Sequence, residues 1–592
     1  MAYISKIDRQ RVRDRKIAAK NRRELISARV SRRDLMKMGL LTGAGYLVAK
    51  KGLSARASVL RDDPESPPTT PFVEPLPIPP VAVPVPSLSP APQAAPNTGA
   101  GEGRTRPHQA FTTFPPQLFY QTVQSQVIKS VHPDLPLQTL WGFNGQVPGP
   151  TYHVQYDIPI LVRNINNLPT NNGGFGIPSV STHLHNGHTP SESDGFPCDF
   201  FEIGQFYDQH YPNCCAGILS THPGDGDIRE SMSTLWYHDH RADHTAENVY
   251  KGLAGFYLLF NEFDTGNETT GFRLPSGEFD VPMIFTDRVF DEDTGLLAFD
   301  LFNDDGILGD KFLVNGRIQP FFEVKRRRYR FRWLDGGPSR FYQFHLTRAN
   351  NPSQVIKFWH IASDGNLLPH PIEVNKVRIS VAERSDVIID FSQFPAGTVI
   401  YLENRLEQED GRGPTGDVLG PNQGDKLLKF IVTGDATDNS AVPTAATSYY
   451  ELPPSNLTPL VTRTFKFERG NGQWQINGKF FNCDNVRFRV KQNSIEKWKL
   501  QNSSGGWQHP IHIHFEEFQI LKVNGQPLPA VSVDRSRKDV MRLEHNQEIE
   551  VIFRFRDFLG RYPMHCHNTI HEDHAMMLRF DIDPVGDTKT NP

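Results

Sequence analysis

Four short histidine motifs constrain this chain more than any other feature of its sequence. Each motif holds two histidines separated by one residue, and residues i and i+2 of a β-strand point to the same side. Each pair therefore presents two imidazoles to one point, whereas a lone histidine usually has an ordinary core or surface role. Four such pairs predict a metal centre. The pairs are His183 and His185, His238 and His240, His512 and His514, and His565 and His567.

The residues near the fourth pair narrow the choice of metal. Imidazole alone suits zinc, copper, iron or nickel, but the sequence lacks the thiolates in C-x2-C spacing that a structural zinc site would use. Cys566 is followed by His571 and Met576, and His509 lies upstream. Two histidines, a thiolate and a weakly bound thioether form the trigonal electron-transfer site of blue copper proteins. The sequence therefore favours copper.

The fourth pair also predicts that two metal sites are linked. On a strand, Cys566 points to one side while His565 and His567 point to the other. One cysteine would thus lie between a copper ion and two histidine ligands of a second copper group. Such an arrangement gives electrons a short covalent path from one site to the other.

The rest of the body predicts an all-β fold. Short runs of alternating or β-branched residues are punctuated by Gly, Pro, Asn and Asp, which is typical of β-sandwiches. A weak internal repeat makes residues 329–334 and 385–391 resemble residues 496–501 and 548–553. Repeated units of this size indicate successive copies of one domain. We place three domains at residues 112–268, 269–450 and 451–592.

The first 57 residues predict an export signal. They hold 16 Lys and Arg but only 4 Asp and Glu. Arg32 and Arg33 precede a mildly apolar run over residues 38–49, and the small-residue site Ala55-Arg56-Ala57 follows. This order is typical of a twin-arginine signal peptide at residues 1–57, and a short amphipathic helix after a basic tail is the alternative. We therefore expect a periplasmic or extracellular protein.

Residues 58–111 are predicted to form a proline-rich linker. Thirteen prolines lie between residues 64 and 96, and such a tract favours extended polyproline II structure. A semi-rigid tether is the predicted role, and a ligand for proline-binding modules is the alternative.

Charge and hydropathy exclude two classes of partner. Beyond residue 57 the chain holds 47 basic and 63 acidic residues, and a body this acidic lacks the basic face that binds nucleic acid. No apolar run reaches the ~18–20 residues that span a bilayer. We therefore expect neither a nucleic-acid partner nor a membrane span.

Together, the motifs resemble those of the multicopper oxidases, the family of laccases, ascorbate oxidases and bilirubin oxidases. All four occur in family order, and the resemblance covers roughly residues 112–585. Residues 506–514 and 571–577 resemble the branch of bilirubin oxidases and spore-coat laccases. The resemblance implies three consecutive cupredoxin-like Greek-key β-sandwich domains. It also implies an enzyme that oxidises a donor by single electrons and reduces O2 to two waters.

The resemblance further implies four copper ions, with twelve ligands at matching positions. The first and third domains supply all of these ligands, so the trinuclear cluster should lie between those domains. The implied ligands are His509, Cys566, His571 and axial Met576 for type 1 copper; His183 and His512 for type 2 copper; His185, His238 and His567 for one type 3 copper; and His240, His514 and His565 for the other.

Three more residues receive roles from their positions relative to the family motifs. Asp194 and Glu572 stand where this branch has acidic residues near the oxygen path, so we predict that they deliver protons. The alternative is that both acids cap loops or orient ligand histidines. Trp507 is predicted to stack a planar donor at the type 1 site, and a core aromatic is the alternative.

The remaining cysteines and nearby histidines are predicted to bind no metal. Cys198 is expected to pair with Cys214 or Cys215 in an oxidising compartment, and Cys483 is expected to be an unpaired buried thiol. His188 and His574 match no ligand position and are interpreted as surface residues or supporting residues.

We expect a monomeric oxidase whose electron donors are phenols, aminophenols or tetrapyrroles. A metal-ion oxidase acting on Cu⁺ or Mn²⁺ is the alternative, although only nine methionines occur and no Met-rich insert is present. A non-catalytic cupredoxin interaction protein would be expected to have lost ligands, and none of the twelve is missing. A copper nitrite reductase lacks the His-Cys-His bridge. An enzyme is favoured.

Overall fold

The computed structural model describes residues 66–214, 216, 233–449, 451–452, 454–470 and 472–592. The predicted signal peptide, residues 1–57, lies outside these described residues. Among the helices in the described ranges, none has the length and apolar character that a membrane crossing requires.

The first domain consists of two four-stranded sheets. Their strand orders are β2-β1-β4-β6 and β3-β8-β7-β5. The strands are β1 (Leu118–Lys129), β2 (Gln138–Phe143), β3 (Gly149–Gln155), β4 (Ile160–Asn167), β5 (Thr182–His185), β6 (Phe206–Tyr211), β7 (Thr234–Asp239) and β8 (Ala254–Phe260).

The middle domain contains an eight-stranded and a five-stranded sheet. The first has the order β12-β11-β9-β14-β19-β16-β17 with β10 beside β9, and the second has the order β13-β21-β20-β15-β18. The strands are β9 (Asp280–Phe290), β10 (Leu297–Ala298), β11 (Lys311–Val314), β12 (Arg317–Ile318), β13 (Phe321–Arg326), β14 (Arg328–Asp335), β15 (Tyr342–Arg348), β16 (Phe358–Ser363), β17 (Asn366–Val374), β18 (Val377–Ile379), β19 (Arg384–Asp390), β20 (Val399–Asn404) and β21 (Asp425–Asp435).

The third domain pairs a seven-stranded with a five-stranded sheet. The orders are β23-β22-β25-β31-β27-β28 with β29 beside β27, and β24-β33-β32-β26-β30. The strands are β22 (Val461–Gly470), β23 (Gln473–Ile476), β24 (Val486–Lys491), β25 (Ile495–Asn502), β26 (His509–Ile513), β27 (Phe518–Val523), β28 (Gln526–Pro527), β29 (Arg537–Lys538), β30 (Val540–Leu543), β31 (Glu548–Arg554), β32 (Gly560–Cys566) and β33 (Met577–Asp583).

Helical structure in the described ranges is short. Two helices lie close to the histidine motifs and pack near each other. The helices are α1 (Thr245–Tyr250) and α2 (Thr569–Asp573), and the 3-10 turns are Thr98–Ala100, Gly277–Phe279 and Phe391–Gln393.

The three domains share one strand-pairing pattern. In one sheet of each domain, the first strand of the domain is parallel to a neighbouring strand; these pairs are β1 with β4, β9 with β14 and β22 with β25. A second parallel pair lies in the facing sheet, β3 with β8, β13 with β21 and β24 with β33. The sequence repeat coincides with the antiparallel pairs β14–β19 and β25–β31. The predicted all-β fold of three sandwiches is confirmed, while the exact domain boundaries stay predictions.

Alternating burial along the strands builds each core. In β25, Trp498 and Leu500 are fully buried, while Lys497 and Lys499 on the opposite face are half-buried. Trp498 packs edge-on against Phe488 and other aromatic rings of the same core. The burial of such rings is the main contribution to the stability of a sandwich.

The described part of the proline-rich segment, residues 66–111, lies along the domains. Its main chain donates hydrogen bonds to the middle domain from Leu76 to Phe321, and to the first domain from Val85 to Phe119, each over 2.7 Å. An extended chain that forms no internal ladder has its remaining N–H groups free for such contacts. This segment differs from the expected tether because it is attached to the body at several points.

The cysteine prediction is wrong. Cys198 forms a disulfide with Cys483, with a Cα–Cα distance of 6.1 Å across 285 residues of sequence. The bond joins the first domain to the third, beside an apolar cluster that includes Phe196, Phe481 and Met577. Pairing depends on proximity in the folded chain, and the interface that brings these loops together has no local signal in the sequence.

Candidate metal centre

Adjacent antiparallel strands bring the histidine pairs together in each of two domains. In the first domain, β5 lies beside β7 and His183 is opposite His238. In the third domain, β26 lies beside β32 and His512 is opposite His565. Directly opposed side chains on one face lie about 4.5–5.5 Å apart at Cβ. The i, i+2 spacing therefore produces two histidine patches, one from each domain.

The two patches meet at a buried interface. The Nε2 atom of His514 lies 3.2 Å from Nε2 of His240 and 3.2 Å from Nε2 of His565. This group combines one imidazole of the first domain with two of the third. All three rings are fully buried. The spacing of the ring nitrogens is that of ligands around one ion.

Further groups of possible ligands surround the same point. In each group, all ligand atoms lie within 4.8 Å of one another. The ring of His567 lies 5.2 Å from the rings of His185 and His238, measured between centroids. The groups are His183, His185 and His238; His183, His512 and His514; and His185, His512 and Asp539.

The cluster also contains buried ring nitrogens that have no hydrogen-bond partner in the described structure. A buried polar atom without a partner costs roughly 1–3 kcal/mol, so several at one point require an explanation. A bound metal ion supplies it, because it accepts the lone pair of each neutral imidazole. The residues present therefore fit a metal cluster. The atoms are Nε2 of His183, His238 and His512, Nδ1 of His185, and both ring nitrogens of His567.

A second constellation lies entirely within the third domain. The Nδ1 atoms of His509 and His571 are 3.1 Å apart, and Cys566 Sγ lies 3.5 Å and 3.6 Å from them. Two imidazoles and one sulfur thus point at a common centre. Cys566 also stands between His565 and His567, so the two centres are adjacent along β32.

The outward nitrogens of these two histidines are held by hydrogen bonds. His509 Nε2 lies 2.9 Å from Ser504 Oγ, and His571 Nε2 donates to the main-chain oxygen of Asp305 over 2.8 Å. These contacts keep both Nδ1 atoms directed at the centre, as supporting hydrogen bonds do in metal sites. The Asp305 contact comes from the middle domain.

The main chain of Met576 is hydrogen-bonded to two residues of the sulfur site. The Met576 N–H donates to the His571 oxygen, and its own oxygen accepts from Cys566 N, both over 3.0 Å. Its side chain is fully buried in the core that includes Cys566. Met577, the first residue of β33, packs in the separate cluster with Phe481.

Burial sets the protonation states at the sulfur site. It lowers the pKa of His509 to about 3 and lowers the pKa of His571 well below its usual value. Both imidazoles are therefore neutral, which is the form that binds metals. Burial also raises the pKa of the Cys566 thiol well above its usual value, so formation of the thiolate depends on a bound cation.

The two predicted acids contact the outward nitrogens of cluster histidines. Glu572 Oε1 lies 2.9 Å from His240 Nδ1, and Oε2 lies 3.0 Å from His565 Nδ1. Asp194 Oδ2 lies 2.7 Å from His514 Nδ1. Burial alone would raise the pKa of Glu572, but His565 and His240 hold it well below its usual value. Burial raises the pKa of Asp194.

Comparison with known proteins gives one consistent result. Residues 453–586 match the family described as "Multicopper oxidase". The chain is 35% identical to a bilirubin oxidase of Albifimbria verrucaria, over 79% of this chain and 77% of that protein. It is 30% identical to a laccase of Bacillus subtilis (strain 168), over 78% of this chain and 94% of that protein. A crystal structure of a laccase from Pediococcus acidilactici Pa5930 has a TM-score of 0.67 at 22% identity, covering 87% of this chain and 95% of that one.

The chain belongs to the multicopper oxidase family. The predicted family, its bilirubin oxidase and laccase branch, and the cupredoxin-like fold are confirmed. This multicopper oxidase is a copper-dependent oxidoreductase that uses O2 as its electron acceptor.

In this multicopper oxidase, Trp507 lies in a hydrophobic core, as the alternative interpretation of this residue expects. Its side chain is in the third-domain core and only 8% of the residue is exposed. The guanidinium groups of Arg412 and Arg469 lie 4.3 Å and 5.0 Å from its ring centroid. Trp474 is the aromatic that contacts the sulfur site, at 4.0 Å from the His571 ring. Donor stacking on Trp507 stays a prediction.

The two histidines interpreted as non-ligands take part in other contacts. His188 Nε2 lies 2.7 Å from Asp557 Oδ2, and the His188 ring stacks on Phe515. His574 Nδ1 donates to the main-chain oxygen of Ile570 over 2.7 Å. Among the described residues, neither is a member of a group of possible metal ligands.

Sequence reasoning missed Asp539. Its Oδ1 atom lies 2.7 Å from His185 Nε2, and its main-chain oxygen accepts from His512 Nδ1 over 2.9 Å. Asp539 follows β29 and precedes β30, with no histidine or cysteine nearby in sequence. Only the pairing of β30 with β26 brings it to the cluster, so no sequence signal indicated it.

Proposed function

We propose that this enzyme binds four copper ions and oxidises phenolic, aminophenolic or tetrapyrrole donors by one electron at a time. Copper would supply reversible one-electron chemistry at the sulfur site and four-electron reduction of O2 to two waters at the histidine cluster. The observation that carries this assignment is the set of buried, partnerless imidazole nitrogens opposite a separate Cys-His-His site.

We assign the copper ligands as the sequence motifs suggest. The convergence of His240, His514 and His565, and that of His509, Cys566 and His571, supports two of the sets. The proposed ligands are His509, Cys566, His571 and Met576 for type 1 copper; His183 and His512 for type 2 copper; His185, His238 and His567 for one type 3 copper; and His240, His514 and His565 for the other.

The chain itself connects electron entry to oxygen reduction. Cys566 is bonded through the main chain to His565 and to His567, so electrons cross between the two centres along covalent bonds. Helix α2 makes a second connection, because His571 faces the sulfur site and the next residue, Glu572, faces the histidine cluster.

Proton delivery is proposed for Glu572 and Asp194, since reduction of O2 to water consumes four protons. Each carboxylate lies one imidazole away from the centre of the cluster. The same contacts suit the alternative role, which is to orient the imidazoles. Replacement of Glu572 by Gln, described below, separates the two roles.

An aromatic donor suits the surface near the sulfur site. Asp305, whose oxygen contacts His571, lies at the end of a segment that carries Leu301 and Phe302 on its surface, and Phe302 is 55% exposed. Exposed apolar side chains three and four residues before the Asp305 contact support a planar organic donor over a hydrated metal ion. The relatives named bilirubin oxidase and laccase support the same donor class.

A donor panel tests the proposal. The copper-loaded protein would be supplied with a phenol, an aminophenol, bilirubin, Cu⁺ and Mn²⁺ under air, while O2 uptake and bound copper are measured. We expect about four copper ions per chain and one O2 consumed per four electrons from the organic donors. Turnover of Cu⁺ or Mn²⁺ alone would replace the proposal with a metal-ion oxidase.

Export through a twin-arginine signal is proposed as well. The Cys198–Cys483 disulfide supports it, since such bonds persist outside the reducing cytosol. Replacing Arg32 and Arg33 together by Lys should leave the protein in the cytoplasmic fraction of expressing cells. Equal export of the variant would contradict the proposal. The monomeric state stays a prediction.

A further inference from the structure

Three carboxylates surround the histidine cluster, and each contacts one histidine of the first domain and one of the third. Six of the eight cluster histidines are held in this way. Two of the acids were singled out from the sequence and the third, Asp539, was not. The pairs are His183 and His514 at Asp194, His240 and His565 at Glu572, and His185 and His512 at Asp539.

Asp539 differs from the other two acids because it contacts the Nε2 atom of one histidine, whereas they contact Nδ1 atoms. His185 uses Nε2 for its 2.7 Å contact with the carboxylate, which leaves the buried Nδ1 without a partner. His183, His238 and His512 have the opposite arrangement, with Nδ1 in a hydrogen bond and Nε2 without a partner. Asp539 therefore selects which nitrogen of His185 faces the centre.

The middle domain holds Asp539 in place. Arg384, in β19, donates from Nη1 to Oδ1 over 3.0 Å and from Nη2 to Oδ2 over 2.5 Å. Its Nε also donates to the main-chain oxygen of Thr234 in β7 over 3.0 Å. Asp364 accepts the main-chain N–H of Asp539 over 3.1 Å. Both Arg384 and Asp364 are fully buried.

We propose that Asp539 is a positioning residue of the O2-reducing cluster and that Arg384 transmits the geometry of the ligand-free middle domain to it. The carboxylate fixes the His185 ring so that Nδ1 faces the metal, and its main-chain oxygen fixes His512. Two-point contact with a guanidinium holds a carboxylate in one orientation. This inference rests on the proposed copper assignment, in which His185 and His512 bind different ions.

Asp539→Ala tests the proposal in the copper-loaded, full-length enzyme. The carboxylate is removed, so the His185 ring can turn and the type 2 and type 3 coppers should change. We expect an altered type 2 electron paramagnetic resonance (EPR) spectrum and at least a tenfold slower reoxidation by O2. The visible absorption band of the copper-bound Cys566 thiolate (the blue band) and the rate of anaerobic reduction at the sulfur site should stay unchanged. None of the ligands of the sulfur site contacts Asp539.

Two further variants keep the test decisive if Asp539→Ala folds poorly. Asp539→Asn retains an acceptor oxygen for His185 and should restore the wild-type EPR spectrum at least in part. Arg384→Lys can contact only one carboxylate oxygen at a time and should shift the spectrum in the same direction as Asp539→Ala, by less. Asp534→Ala is the control, because Asp534 pairs with Arg542 over 2.9 Å and contacts no cluster histidine.

The outcomes separate this inference from the proposed function. A wild-type protein without four coppers would contradict the copper assignment itself. If the wild type holds four coppers and the EPR spectrum and reoxidation rate of Asp539→Ala equal those of the wild type, only the role of Asp539 is wrong. If Asp539→Asn behaves like Asp539→Ala while Arg384→Lys leaves the spectrum unchanged, the charge of the carboxylate rather than its orientation matters, and positioning is also wrong.

Discussion

The sulfur site and the histidine cluster are built in different ways. Three donor atoms of the sulfur site lie 3.1–3.6 Å apart and come from the third domain alone. The cluster takes four histidines from the first domain and four from the third. Each supporting carboxylate contacts one histidine from each of these two domains, and Arg384 adds a contact from the middle domain. The donor atoms of the sulfur site come from one domain, with one supporting contact from Asp305 of the middle domain, whereas the cluster takes its histidines from two domains and its support from all three.

This difference predicts how the enzyme fails. A change at the interface between domains should impair O2 reduction while the sulfur site still accepts electrons. A change inside the third-domain core should affect both centres, because β26 and β32 carry ligands for each. The difference can be tested with variants that act on one centre, on the other, or on the residues that connect them.

Cys566→Ser should have the largest effect, because Cys566 is a ligand of one centre and the link to the other. The variant should lose the intense visible band and the oxidase activity together, since serine offers no thiolate to copper. The histidine cluster contacts no atom of the removed thiol and should still hold its copper ions. Visible and EPR spectra with copper counting measure all three. A variant that keeps the visible band would contradict the assignment of Cys566 as a ligand of type 1 copper.

Glu572→Gln acts on the cluster alone. Gln preserves the size of the side chain but can neither take up nor pass on a proton, and only one of its two terminal atoms accepts a hydrogen bond. Turnover under air should fall by roughly 10²–10⁴-fold, the usual contribution of a positioned general acid. Anaerobic reduction of the sulfur site by donor should keep its rate.

Copper counting decides what that loss means. Four coppers in the Glu572→Gln variant would favour proton delivery, whereas loss of cluster copper would show that Glu572 orients His240 and His565. Slow anaerobic reduction with normal reoxidation would instead connect Glu572 to the donor site and contradict both roles.

The sequence predicted the side chains that converge at the two centres better than the residues that support them, for a physical reason. The spacing of His183 and His185 reflects the two-residue period of a strand, which is local. Asp539 and Cys483 reach the centre or its surroundings only through contacts between segments distant in sequence, and such contacts have no period to detect. The pairing of Cys198 was predicted wrongly for the same reason, because the prediction chose partners near in sequence and the actual partner, Cys483, is distant.

Loss of the Cys198–Cys483 disulfide should weaken the cluster before the sulfur site. A disulfide typically contributes about 2–4 kcal/mol to stability, and this one joins the two domains that supply the cluster. In a denaturant gradient, the double variant Cys198→Ser/Cys483→Ser should lose its type 2 EPR signal at a lower concentration than its blue band. The gap between the two transitions should be wider than in the wild type.

A second double variant provides the control. Cys198→Ala/Cys483→Ala also lacks the disulfide and should show the same separation of the two transitions. Simultaneous loss of both signals in the variant and the wild type would mean that the interface does not set the stability of the cluster.

Met576→Leu should have the smallest effect and should change the sulfur site alone. A weak axial thioether stabilises oxidised copper and tunes the reduction potential more than it holds the ion. Leucine has a similar volume and no donor atom, so the variant should keep four coppers and show a higher type 1 potential in a redox titration.

Met577→Leu is the matched control, because Met577 packs beside Phe481 rather than in the core with Cys566. If the potential rises in Met577→Leu instead, the axial ligand is the wrong methionine; if it rises in neither, the site has no thioether ligand. Reoxidation of the cluster by O2 should keep its rate in Met576→Leu, because Met576 packs in the core with Cys566. Met577 lies opposite His565 across the sheet, so its variant is a control for the potential alone.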